Sequence, residues 1–156
     1  TTLESFVIQF REQPEFTCIW RTLLNPCTSP YVPWYLGITK IPAGYSWISP
    51  EMALASHFNV PQADLSYRPG RAWWAFQSVQ DLADAAYAEV LPEIEKTRDA
   101  LEQLWADSQS AFERQVYDVF KRDPGKARAM LTDYTNAQAG KAWRTWRALF
   151  DQLMKI

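Results

Sequence analysis

The chain has 156 residues, of which 47% are hydrophobic and 22% charged, with a net charge of −2 and 5 Gly against 10 Pro. An apolar fraction at the globular average with so small a net charge excludes a disordered tail or a collagen-like polymer, and the length suffices for a core that needs no metal or disulfide staples. Lys and Arg number 16 against 18 Asp and Glu without a basic block, so a nucleic-acid partner is not indicated, and no apolar run approaches the roughly 18 residues that cross a bilayer.

The two halves are built differently: eight of the ten prolines lie before residue 70, and 25 of the 34 charged residues lie after it. Residues 1–70 read as strands and a proline- and aromatic-rich crossing loop, and 71–156 as a helical extension, together one α+β domain. The chain opens Thr1-Thr2-Leu3 without an initiator Met or a signal peptide, which reads as a processed product or an excised fragment. The compartment stays open.

Glu4 to Phe10 alternate, with Phe6, Ile8 and Phe10 on one side and Ser5, Val7, Gln9 and Arg11 on the other, the period of a strand. Glu12-Gln13-Pro14-Glu15 is a turn signal. Phe16 to Leu24 follows as a second strand, antiparallel to the first, with Cys18, Trp20 and Thr22 on one face and Ile19, Arg21 and Leu23 on the other. Arg21 stands alone among apolar neighbours and needs an anionic or hydrogen-bonding partner. Prolines 26, 30, 33 and 42 rule out a central strand or a helix from Asn25 to Tyr45 and leave a structured loop, with a short extended piece near Tyr35 to Thr39. A short helix from Ser49 to Phe58 has Ser49 as N-cap and Pro50 at its first position.

After Arg71 the period becomes helical. Phe76, Val79, Leu82, Ala83, Ala86, Tyr87, Val90 and Leu91 mark one buried face, and Pro92 ends or kinks that helix. The stripe continues from Ile94 through Leu101, Trp105, Phe112 and Val116 to Phe120. Asp123-Pro124 then opens a last helix through Leu131, Tyr134, Trp146 and Leu153, so the second half reads as long antiparallel helices.

Chemistry is sparse. Cys18 and Cys27 lack zinc-ligand spacing, and read as two thiols or as a disulfide closed by a strand that turns back. His57 is the only histidine, so a histidine-based metal site is not available, and neither cysteine lies in a nucleophile elbow with it. Glu89, Glu93, Glu95 and Asp99 alternate with Lys96 and Arg98 as a solvated helix face. Tyr31, Trp34, Tyr35, Tyr45 and Trp47 either line a sugar or peptide groove or staple the loop onto the rest of the domain. Thr1 as a terminal nucleophile would have to open a larger sheet than the two or three strands that follow it.

The stretch Ile19-Trp20-Arg21-Thr22-Leu23-Leu24-Asn25-Pro26-Cys27-Thr28-Ser29-Pro30-Tyr31-Val32-Pro33-Trp34-Tyr35-Leu36-Gly37 resembles the distal part of the family C69 dipeptidases, relatives of the secernins. Asp123-Pro124-Gly125-Lys126-Ala127-Arg128 with Leu131-Thr132-Asp133-Tyr134-Thr135-Asn136-Ala137-Gln138-Ala139 resembles a helix near the end of the same family. The resemblance implies the C-terminal section of an N-terminal-nucleophile hydrolase fold, two stacked sheets between helical layers. A cysteine at the start of the family's mature chain attacks a peptide carbonyl there, without a metal or organic cofactor.

That nucleophile and its motif are absent here. Cys27-Thr28 imitates the family's Cys-Thr start, but Cys27 is internal, has no free α-amine and is read as coincidence. The resemblance therefore implies the C-terminal domain of a cysteine dipeptidase, a hydrolase of short peptides whose partner is the catalytic N-terminal part of the same protein, with homo-oligomerisation open. No catalytic residue is assigned within the chain. Related hydrolases place an arginine on a late strand near the active site, which makes Arg21 the candidate for a substrate carboxylate, with Asn25, Thr28 and Ser29 as polar contacts where the loop turns. The alternative for these three is turn chemistry, and the alternative for the chain is a non-catalytic binding or scaffold module.

Overall fold

Three strands, β1 (Glu4–Gln9), β2 (Cys18–Leu23) and β3 (Val32–Tyr35), form an antiparallel sheet in the order β1-β2-β3. The computed structural model describes residues 3–46 and 48–155, so the expectations on Thr1 and Trp47 lie outside the described residues. Glu12-Gln13-Pro14-Glu15 does turn the chain: Pro14–Phe16 is a single turn of 3-10 helix, and β2 starts two residues later than the sequence suggests. The register sets Gln9 opposite Cys18 and Cys18 opposite Tyr35, while Phe6 faces Arg21 and Arg21 faces Val32. Since side chains alternate across a strand, Ser5, Gln9, Cys18, Trp20 and Tyr35 share one face, and Phe6, Ile8, Ile19, Arg21 and Trp34 share the other.

The crossing loop differs from expectation in one respect. Its extended piece is Val32–Tyr35 rather than Tyr35 to Thr39, and it is a strand despite Pro33. Proline removes a ladder donor only where the partner needs one, and β3 is an edge strand, where that loss is tolerated.

Helices follow. α1 (Pro50–Ala55) opens as expected, Ser49 accepting a hydrogen bond from Met52 N–H at 3.2 Å. No side chain of α1 is buried. α2 (Ala72–Phe120) and α3 (Pro124–Leu153) then carry most of the core, and Asp123 caps α3 by accepting from Lys126 N–H at 2.9 Å.

The proline in α2 lies at residue 92, but the helix breaks six residues earlier, at Ala86, with φ −145° and ψ 53°. Pro92 removes its own donor and crowds the carbonyl of Ala88, so its local effect stops short of Ala86, and the break is not at the proline. The bend is sharp enough to fold the two limbs of α2 against the same loop. Gln80 from the first limb meets Thr28, whereas Arg98 from the second donates to the carbonyl of Cys27 and Glu102 accepts from Tyr31 N–H. In a straight helix Gln80 and Arg98 would stand about 27 Å apart.

Phe76 stacks on Trp146, and Gln152 reaches Glu93. The first limb therefore runs alongside α3 in the same direction, and the second returns along it. One buried cluster joins Leu24 and Val32 of the first half to Phe76, Val79, Trp105 and Trp146 of the second. A smaller one gathers Phe16, Cys18 and Tyr35 with Val116 and Leu131.

Candidate functional site

One face of the sheet is covered by helices, and the other is covered only at its β3 end, where Val32 and Trp34 pack into the core. On the covered face, Gln9 Oε1 accepts from Trp20 Nε1 and from Gln109 Nε2 of α2, each at 2.8 Å. Beside it Glu113 accepts two hydrogen bonds from Arg11, at 2.9 and 3.2 Å, and one from the Tyr35 hydroxyl at 3.0 Å. This layer joins sheet to helix through satisfied polar groups. Its hydrogen bond to Glu113 holds the Arg11 guanidinium above its usual value. Burial, seconded by the charge of Glu113, pushes the Cys18 thiol up to about 12. Cys18 is therefore a neutral core thiol at physiological pH, the opposite of an activated nucleophile. Both cysteines are free, Cys18 buried and Cys27 exposed, so the disulfide alternative is not realised.

Over β1 the other face is open. Phe6 is 59% and Phe10 79% exposed, and Ile8 joins them on the same side. At its centre Arg21 lines a groove of about 370 Å³ with Ile19, Trp34, Leu36, Ile41 and Tyr45. The Arg21 guanidinium carbon lies 5.9 Å from the Trp34 ring centre, and Trp34 packs edge-on against Tyr45 at 5.3 Å. Tyr45 is fixed from behind, its hydroxyl donating to the Ala139 carbonyl at 2.9 Å, and burial raises its pKa so that it stays protonated.

The partner that Arg21 requires is Glu4 of the neighbouring strand, in ionic contact with Nε but without hydrogen-bond geometry there. Both side chains are well over a third exposed, and such a pair contributes about 0–1 kcal/mol. A carboxylate arriving from solution meets little competition for the guanidinium.

The three loop residues do not join Arg21. Asn25 makes an Asx turn, its Oδ1 accepting from Cys27 N–H at 2.9 Å, and its carbonyl takes the Thr28 N–H. Thr28 is fully buried, its hydroxyl donating to Gln80 Oε1 at 2.5 Å while its carbonyl accepts from Trp146 Nε1 at 3.0 Å. Ser29 is also fully buried. Turn chemistry and helix docking account for Asn25 and Thr28, because the loop carries backbone polar groups into the core and needs partners for them. Neither these two nor Ser29 lines the Arg21 groove.

Of the loop aromatics, Trp34 and Tyr45 wall the groove, and Tyr31 instead bonds Ser5 from the covered face. Sequence reasoning missed Tyr45 and Ile41 as companions of Arg21. The turns at Leu36-Gly37 and at Pro42-Ala43-Gly44-Tyr45 that bring them back to β3 leave no periodic signal. His57 is exposed and its ring packs on Phe58 at 4.5 Å, while its backbone N–H donates to the Leu54 carbonyl at 3.3 Å. Among the described residues no group of three or more His, Cys, Asp or Glu could hold a metal ion, and no helix is long and apolar enough to cross a membrane. No family model matches the chain, and neither a curated protein nor a solved structure matches it.

Proposed function

We propose that the chain is the C-terminal section of a cysteine dipeptidase of the C69 kind, in which Arg21 serves the active site and the preceding part of the protein supplies the nucleophile. The observation that carries this reading is the position of Arg21. A cation stands on the sheet face that is open over β1, beside exposed Phe6 and Ile8, although Val32 and Trp34 at the β3 end of that face pack into the core, while Cys18 and Tyr35 of the opposite face pack on helices. An apolar face of this kind is a surface to be covered by a second layer, and an arginine within it suits recognition of a carboxylate by its planar fork of donors. The stacked sheets of an N-terminal-nucleophile hydrolase would place a substrate there. A Cys thiolate from the preceding part of the protein would attack the peptide carbonyl, the C–N bond would break with release of the protonated amine of the C-terminal residue, and water would hydrolyse the thioester to the acid and the thiol.

Dipeptide hydrolysis by the longer protein tests this reading. Activity is expected there, with none above background in the isolated chain, and Arg21→Ala is expected to lower kcat/KM by at least tenfold. Hydrolysis by the isolated chain, or none by the longer protein, refutes it. The groove's aromatic walls favour a second reading, a non-catalytic binding or scaffold module, and unchanged activity of the Arg21→Ala enzyme would select that.

A further inference from the structure

The groove holding Arg21 has two chemically distinct ends. One is the guanidinium, whose only charged partner among the described residues is Glu4. The other is largely apolar: the rings of Trp34 and Tyr45, with Ile19, Ile41 and Leu36, and Ser46 also lining it. Leu36 and Ile41 are each more than half exposed although they stand beside a buried core. About 370 Å³ is near the lower limit of small-ligand sites, the size of one residue rather than of an extended peptide.

From this arrangement we infer that the groove is a subsite for the C-terminal residue of the substrate, and that it selects a large apolar side chain there. The inference rests on the dipeptidase reading and deepens it by naming a substrate class: short peptides ending in a free α-carboxylate on an aromatic or branched aliphatic residue. The carboxylate takes the guanidinium in place of, or beside, the exposed Glu4 carboxylate that meets it at Nε. The side chain lies against Trp34 and Tyr45. Because Tyr45 is tied to the Ala139 carbonyl and Trp34 to β3, these walls are preformed, and binding spends little ordering entropy on them. A residue with a charged side chain would leave that charge against largely apolar walls, and glycine would leave those walls uncovered.

Titration of the chain with three small probes, followed calorimetrically, tests the subsite without requiring catalysis. N-acetyl-L-phenylalanine is expected to bind at least tenfold tighter than N-acetylglycine, which keeps the carboxylate without the ring, and at least tenfold tighter than N-acetyl-L-phenylalaninamide, which keeps the ring without the charge. Arg21→Ala should abolish the discrimination between acid and amide, while Ile41→Asp should abolish that between phenylalanine and glycine. Equal binding of the acid and either control, or no binding of the acid, overturns the inference.

Hydrolysis by the longer protein separates the two levels. Cleavage of Ala-Phe and Ala-Gly with equal kcat/KM would defeat the apolar subsite and leave the dipeptidase reading standing. Selective acetyl-phenylalanine binding with no peptide hydrolysis would defeat the dipeptidase reading and keep a carboxylate-binding groove.

Discussion

Replacing Thr28 by valine separates a substrate contact from a structural one. The substitution keeps the shape and removes the hydroxyl. That hydroxyl is fully buried and donates its one proton to Gln80 Oε1 at 2.5 Å, with the Asn25 carbonyl oxygen 3.2 Å away. Gln80 is 5% exposed and spends its amide N–H on Asp84, so the carbonyl oxygen of its side chain would be left buried with no donor. An acceptor stranded in this way costs about 1–3 kcal/mol. With a urea m-value of roughly 2 kcal/mol/M, Thr28→Val should lower the unfolding midpoint by about 0.5–1.5 M at unchanged slope.

Tryptophan fluorescence reports the transition, since Trp146 donates to the Thr28 carbonyl. The double variant Thr28→Val with Gln80→Leu removes both partners and should recover most of the loss, because Asp84 is exposed and returns to water. A midpoint for Thr28→Val within about 0.2 M of the parent would refute the buried bridge and return Thr28 to the candidate ligands.

Gly37 sits where a Cβ would lie 2.8 Å from Leu131 Cδ1 and 2.9 Å from both Cβ and the carbonyl oxygen of Glu15, so Gly37→Ala should destabilise by about 1–3 kcal/mol, read in the same urea assay. Asp123→Ala removes the cap of α3 and should cost about 0.5–2 kcal/mol, with Asp123→Ser restoring most of it. Burial raises the pKa of Glu102 despite its hydrogen bond from Tyr31 N–H. Its folded form holds the proton to higher pH than its unfolded form does. Its contribution to stability is therefore fully present below the unfolded carboxylate value of roughly 4.3 and is lost as pH rises through the folded value. Glu102→Gln should remove that slope, seen by comparing urea midpoints of the two proteins from pH 4 upward. Glu15 has the opposite sign: its hydrogen bond with Arg128 lowers its pKa, so this contribution is present above roughly pH 4.3 and lost on further acidification. Arg128→Ala should flatten the acid limb of the stability profile.

Elements with local causes were legible in the sequence. The alternation of Phe6 and Ile8 with Val7 and Gln9 marks β1, and Ser49-Pro50 and Asp123-Pro124 place two helix starts to the residue, because a cap and a fixed φ act within one turn. Arg21 was singled out for the same kind of reason, as a charge where the pattern called for an apolar side chain, and the structure gives it Glu4 and an aromatic groove. What stayed hidden depends on where chain segments meet. The strand at Val32–Tyr35 contains a proline that only an edge position tolerates, and the break at Ala86 lies a turn and a half before the proline that any reading would blame.

Thr28 and Ser29 show how such meeting points can mislead. In a proline-rich loop, short polar residues read as exposed turn formers or as hands reaching for a ligand. Here the bend at Ala86 brings both limbs of α2 to the loop, with Trp146 of α3 on its carbonyl, and the same residues become the filling between them. The bend and the buried loop therefore require each other. Were α2 straight, Gln80 and Arg98 could not both reach residues 27 and 28, and the loop's polar groups would face an apolar core alone. By closing that side of the domain, the arrangement leaves Arg21 and the exposed side chains of β1 as the open part of the sheet, the surface that the proposed dipeptidase function assigns to a second layer.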